Sequence, residues 1–351
     1  MTIGRNTPPA RRLLSDPYTR IPLGMPIAPD FKRTAERIRY IHRFILLTIG
    51  AAVCLIGWGG FVTSIDAGLA VPDWPTSFDS WDPLNPWPEW WTITPVLAEH
   101  GHRLLGAIVG ALTLILTVWI WRVDPRPGVR GLAVGALAVV ILQGVLGGMR
   151  VVLISIDLAI VHAVTAQIFF GLLVTLAVMT SQPWIGRVEH GGGNDARTAL
   201  ASLAALTAIV VLAQIGLGAL LRHPGRGISV PLAIAHMVGA VVVFGLVFAL
   251  ILKTMRQHRA DVRLVNGVHV MSGILTFQIV LGFTAYFVLL NESGVLVPSN
   301  LQVVANTLHL VVGALLWGSA VGVAVWARGM PAPEESTAAH SRPDVAATAA
   351  G

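Results

Sequence analysis

Residues 99–121 read EHGHRLLGAIVGALTLILTVWIW. An acid, two histidines and an arginine open the stretch, and no charge interrupts it from Leu104 to Trp121. Such a run matches the roughly 20 residues with which a helix crosses about 30 Å of hydrocarbon. On that helix Glu99 and His102, three residues apart, share a face about 60° from each other, while His100 points nearly the opposite way. Hydrocarbon penalises ionisable groups by a few kcal/mol or more, so their presence at the mouth of a membrane helix points to function.

The whole chain has the same character. Of its 351 residues 54% are hydrophobic and 12% charged, with a mean hydropathy of +0.72, whereas soluble domains carry about 25% charged residues. The single cysteine, Cys54, rules out an intrachain disulfide, a zinc–thiolate cluster and attached c-type haem. In a membrane protein the net charge of +6 reports orientation rather than nucleic-acid binding.

Eight apolar stretches are long enough to span: 42–64, 99–121, 131–152, 159–180, 198–221, 230–252, 265–290 and 301–326. Arginine and lysine gather before the first, between the second and third, and between the sixth and seventh, as Arg33, Arg37, Arg39 and Arg43, Arg122, Arg126 and Arg130, and Lys253, Arg256, Arg259 and Arg263. The first loop, 65–98, is acidic and has neither. The positive-inside rule then predicts a multi-pass protein of the cell (inner) membrane, both termini cytoplasmic and the acidic loop outside. Residues 1–40 read as a basic cytoplasmic tail without a signal-peptide pattern, and 328–351 as a disordered cytoplasmic tail. The tryptophans of the first loop, Trp74, Trp81, Trp87, Trp90 and Trp91, suit either an aromatic belt at the headgroups or contact with a substrate.

The halves repeat. Ile56-Gly57-Trp58-Gly59-Gly60 matches Ile215-Gly216-Leu217-Gly218-Ala219, and Gln143-Gly144-Val145-Leu146-Gly147 matches Gln278-Ile279-Val280-Leu281-Gly282. Four helices per repeat preserve orientation, so the expected fold is an all-α integral membrane protein of eight transmembrane helices, arranged as two parallel-repeat four-helix bundles. One bundle is expected at 41–182, a cytoplasmic linker at 183–197 and the second bundle at 198–327. The glycines read as sites of close helix packing.

Each even-numbered stretch opens with a histidine at similar depth: His102, His162, His236 and His309. Two imidazoles facing each other inside a bundle suit the axial positions of a haem iron, whereas zinc would lack ligands. His100 and His223 are the spare ligands on the same side. Arg103, Arg150, Arg222 and Arg226 run against the positive-inside trend and call for partners, either haem propionates or lipid phosphates. Only the first half sets an acid beside its histidine, since Ala233 takes the place of Glu99 in the second.

These residues resemble the haem A synthase family of eight-helix membrane proteins. The resemblance runs from the first stretch to the eighth and is carried by Gly68-Leu69-Ala70-Val71-Pro72-Asp73-Trp74-Pro75, by Glu99-His100-Gly101-His102-Arg103, by His162 to Gln167, and by His236 and His309. It implies oxidation of a ring methyl of haem O to a formyl group by successive hydroxylations and loss of water, for cytochrome oxidase biogenesis. It also implies that His102 and His162 belong to the substrate haem and that His236 and His309 ligate a haem b cofactor. Some members carry a cysteine pair in the first outer loop, and this chain has none. Glu99 is then the candidate catalytic acid, handling protons or stabilising positive charge at the reacting carbon, or else a structural partner of Arg103. The expected partners are haem O, membrane lipid, a haem O synthase and an electron donor. The rival readings are a di-haem b electron-transfer cytochrome or haem-binding paralogue without catalysis, and a transporter; ligands on one face argue against electron transfer across the bilayer.

Overall fold

The computed structural model describes residues 29–189, 199–222, 229–291 and 297–329. Among them are nine α-helices: α1 (Pro29–Ser64), α2 (Thr94–Val123), α3 (Pro127–Val152), α4 (Ile156–Thr180), α5 (Gln182–Glu189), α6 (Ala199–Arg222), α7 (Val230–Gln257), α8 (Val262–Asn291) and α9 (Asn300–Arg328). All but α5 are long and apolar enough to cross a membrane. The chain is thus all-α, with the eight spans where hydropathy put them. Two boundaries differ from expectation. Residues 29–40, read as tail, already belong to α1, and the linker from 183 begins inside α5. Residues 190–198 and 330–351 lie outside the described part.

Helix starts follow local chemistry. Ser155 and Ser299 accept from the Leu158 and Gln302 N–H groups, satisfying donors that a helix N-terminus leaves free. Pro95, Pro127 and Pro231 stand in the first turns of α2, α3 and α7, where the missing N–H costs nothing.

Packing closes the spans into rings. α1 touches α2, α2 touches α3, α3 touches α4 and α4 returns to α1; in the same way α6, α7, α8 and α9 meet in sequence, and α9 returns to α6. The rings share a seam in which α9 packs on α1 and α4, and α4 on α6. There α9 is the most enclosed span, 61% of its apolar window being buried, against 11% for α8. Small residues permit the approach: a Cβ on Gly318 would stand 2.7 Å from the Phe170 ring, and one on Gly171 3.0 Å from Trp317. Trp317 Nε1 donates to the Gln167 carbonyl at 2.7 Å across this seam. In lipid, where apolar burial against a neighbour helix gains little over burial in tails, such close packing and hydrogen bonding hold helices together.

Candidate functional site

The four histidines lie six to nine residues into α2, α4, α7 and α9, about 9–14 Å along each helix at 1.5 Å per residue. Tertiary packing brings them together as two pairs. His102 and His162 have ring centres 6.4 Å apart with planes at 74°; His236 and His309 repeat this at 6.4 Å and 67°. No hydrogen bond joins the partners within either pair. At about 2 Å per metal–nitrogen bond, one metal atom held between two imidazoles sets their centres a little over 6 Å apart. Among the described residues no three His, Cys, Asp or Glu gather as a metal site.

Three of the four rings keep a nitrogen free that a metal could take. The Nδ1 atoms of His102, His162 and His309 are buried without a partner, a state that calls for an explanation in an apolar interior. Each ring also lies against a glycine of the preceding long helix. A Cβ added there would stand 2.9 Å from Cε1 of His102 at Gly59, 3.2 Å from His162 at Gly147, 3.2 Å from His236 at Gly218 and 3.0 Å from His309 at Gly282. The sequence shows these glycines as packing sites; their contacts show that what they accommodate is an imidazole.

Glu99 is buried and committed. Its Oε1 accepts from Arg103 Nη2 at 2.9 Å, and its Oε2 accepts from the Val71 N–H at 2.9 Å. Arg103 also donates to the carbonyls of Asp73 at 2.7 Å, Val71 at 3.0 Å and Thr76 at 3.3 Å. The acid therefore does with Arg103 what its spacing of four residues allows, and the pair ties the first loop to α2. No hydrogen bond joins it to His102, although both stand on that helix within one turn.

The loop is fastened at further points. The Trp74 indole fills the place of a Gly148 side chain, and Arg150 donates to the Gly68 carbonyl. Trp58 Nε1 donates to the Ala98 carbonyl at 2.7 Å. His100 turns away from the histidine pairs: its Nε2 lies 2.9 Å from the Pro83 carbonyl, and its ring packs on Trp90 at 4.9 Å. It is a loop anchor, so the alternative that made it a spare ligand is not supported by its position. Trp90 is buried and Trp74 seated on α3, whereas Trp81, Trp87 and Trp91 are exposed. Asp73 closes the turn by accepting from the Phe78 and Asp79 N–H groups at 2.7 and 2.9 Å. Burial pushes its carboxyl pKa up, but the Thr76 hydroxyl and the N–H groups of Asp79, Phe78 and Asp73 itself hold it below the ordinary value.

The arginines have found partners. Besides Arg103 and Arg150, Arg222 donates to the Asn306 carbonyl at 3.1 Å, the Gly60 carbonyl at 2.9 Å and the Ser64 hydroxyl, bracing α6 against α1 and α9. Arg226 and His223 lie outside the described residues. What sequence reading did not assign is the set Gln143, Gln214 and Gln278, visible only as repeat markers or not at all, whose amides reach the histidine-bearing helices.

Eight apolar spans, two matched histidine pairs and a loop braced against α2 and α3 define a polytopic helical membrane protein. The sequence model of the cytochrome oxidase assembly protein family matches residues 42–233, more than half of the chain, and the chain belongs to that family. The match takes in His102 and His162 and stops just before His236. Among individual proteins the chain is similar to proteins named heme A synthase. It is 33% identical over 40% of its length to that of Shouchella clausii, covering 46% of the relative. It is 32% identical over 49% to that of Symbiobacterium thermophilum, and 28% over 52% to that of Geobacillus kaustophilus, each match covering 56% of the relative. The chain thus spans about half the length of the curated relatives it matches.

Proposed function

We propose that this protein is a haem A synthase, a membrane oxidoreductase that converts a ring methyl of haem O to a formyl group by successive hydroxylations and loss of water. The observation that carries the proposal is the His102–His162 pair, 6.4 Å between ring centres, with His102 on the helix whose Glu99 and Arg103 brace the first loop. The relatives' shared name and the Glu99-to-Arg103 motif support it. In this reading the pair His102 and His162 holds the substrate haem, and His236 and His309 hold haem b, which supplies one-electron chemistry when bound. The two rings of contacts are then two copies of one bundle, 41–182 and 198–327, specialised for substrate and cofactor.

The chain's own residues bind and orient. His102 and His162 would hold the substrate haem, Gly59 and Gly147 leave the rings their places, and Trp74 on Gly148 fastens the first loop to α3. Glu99 is the candidate catalytic acid at the rim, handling protons or stabilising positive charge at the reacting carbon once its pairing with Arg103 is loosened. Arg103, Arg150 and Arg222 are the guanidinium groups that would pair with haem propionates, and Arg226 is assigned the same part from the sequence alone. Lysine and arginine placement orients both termini to the cytoplasm and the haem sites to the outer face of the cell membrane. A haem O synthase supplying substrate and an electron-transfer partner complete the reaction.

Expression of the full chain in cells that make haem O, followed by extraction and chromatography of the haems, tests this reading. Haem A is the expected product; haem b alone, with haem O available, overturns the synthase reading in favour of a di-haem cytochrome.

A further inference from the structure

The four glycines that face the histidines share one frame, and the frame has one exception. Four residues before each glycine, on the same helix face, α3 carries Gln143, α6 Gln214 and α8 Gln278, but α1 carries Leu55. The alignment of α1 with α6 is secure, because Leu55-Ile56-Gly57-Trp58-Gly59 runs against Gln214-Ile215-Gly216-Leu217-Gly218 with the same Ile-Gly-x-Gly core.

Each glutamine reaches its own histidine, Gln143 at the backbone alone, Gln278 at the ring and Gln214 at both. Gln143 Nε2 donates to the His162 carbonyl at 3.0 Å. Gln214 Nε2 donates to the His236 carbonyl at 2.7 Å and lies 3.1 Å from Nδ1 of the ring. Gln278 Nε2 lies 3.3 Å from Nε2 of His309. The histidine helices make room for the amides: a Cβ on Gly239 would collide with Gln214 Oε1, and one on Gly313 would stand 3.1 Å from Gln278 Nε2. Gly106, placed after His102 as Gly313 is after His309, has nothing within 4 Å of such a Cβ. Leu55 offers no hydrogen bond, so α1 sends no amide to His102; an unpartnered Nδ1 does not set His102 apart, because those of His162 and His309 are also unpartnered.

A side chain hydrogen-bonded to a metal-ligating histidine or to its backbone holds that residue in place, and losing such an outer-shell neighbour costs 10–100-fold in affinity. We propose that Gln143, Gln214 and Gln278 are positioning residues for their histidines, and that Leu55, standing in place of a fourth, makes His102 the releasable ligand. This rests on the reading of His102 and His162 as the substrate site. A site that takes in haem O and discharges its product needs one ligand that lets go; a site with a resident cofactor needs two that do not. The pair His236–His309 has two glutamines, and the pair His102–His162 has one.

The test uses the full-length protein in detergent, loaded with haem b at both sites and mixed with excess apomyoglobin to capture what is released. Two release phases are expected, the slow one absent from His236→Ala. Leu55→Gln slows the fast phase about tenfold and leaves the slow phase unchanged, while Leu55→Met, which fills the space without an amide, behaves as wild type. Gln214→Leu speeds the slow phase by a similar factor. An unchanged fast phase in Leu55→Gln, or equal slowing in Leu55→Met, overturns the inference. Should Leu55→Gln fail to accumulate, Gln143→Leu decides: faster release supports the inference and unchanged release overturns it. A wild-type protein with one phase only, lost in His236→Ala, overturns instead the reading of His102 and His162 as a haem site.

Discussion

Glu99 and Arg103, one turn apart on α2, grip the same residue of the first loop: the Val71 N–H donates to Glu99 at 2.9 Å, and the Val71 carbonyl accepts from Arg103 at 3.0 Å. The ion pair between them, also 2.9 Å, closes a three-residue clamp. The acid that distinguishes the first histidine pair from the second is thus also what fastens the loop, and the two roles need separating.

Glu99→Gln removes the charge and, with it, the ion pair to Arg103. The amide oxygen still accepts from Val71, and Arg103 keeps its own bonds to the Val71 and Asp73 carbonyls, so most of the loop's fastening stays. Haem A formation is expected to fall about 100-fold, as when one electrostatic stabiliser is removed from an active site, with haem b content unchanged. Wild-type haem A yield from this variant would reduce Glu99 to a clamp.

The two pairs should lose different haems. His236→Ala or His309→Ala is expected to remove bound haem b from the purified protein, measured by its pyridine haemochrome. His162→Ala should retain haem b and make no haem A. Equal loss of haem b from all three variants would contradict the division of labour.

Gly59→Ala and Gly282→Ala place a methyl 2.9 and 3.0 Å from the Cε1 atoms of His102 and His309. Either ring must shift. Gly282→Ala is expected to disturb the haem b absorbance spectrum, and Gly59→Ala to lower haem A yield while that spectrum stays as in wild type.

Gly318→Val tests the seam. Its side chain would meet the Phe170 ring, 2.7 Å from the first added carbon, and overpacking of this kind costs about 1–3 kcal/mol. The thermal midpoint in detergent should fall; Gly245→Ala, where a Cβ meets nothing within 4 Å, should leave it unchanged.

Asp73 gives the loop a pH dependence. Its folded pKa lies below the unfolded value, so its contribution is complete above the ordinary carboxylate range and is lost as pH falls through the depressed folded value. Tryptophan fluorescence should report loosening of Trp74 and Trp90 under acid conditions alone, and Asp73→Asn should show the loosened signal already at neutral pH.

Much of this was legible in the chain. The eight spans follow from length and apolarity, and the common depth of His102, His162, His236 and His309 follows from their distance to a helix start, since both properties are measured along one helix. The repeat identified equivalent positions because the same side chains recur in the same order. What the sequence could not reveal is which faces meet. In a span whose lipid side and protein side are both apolar, hydrophobic periodicity carries little rotational information. Packing alone decided that the histidines stand in pairs 6.4 Å apart, that each rests on a glycine, that three of them have a glutamine, and that Glu99 turns to Arg103 and Val71. Depth is a property of one helix; a site is a property of several, settled only when side chains from different spans compete for the same space and the same hydrogen bonds.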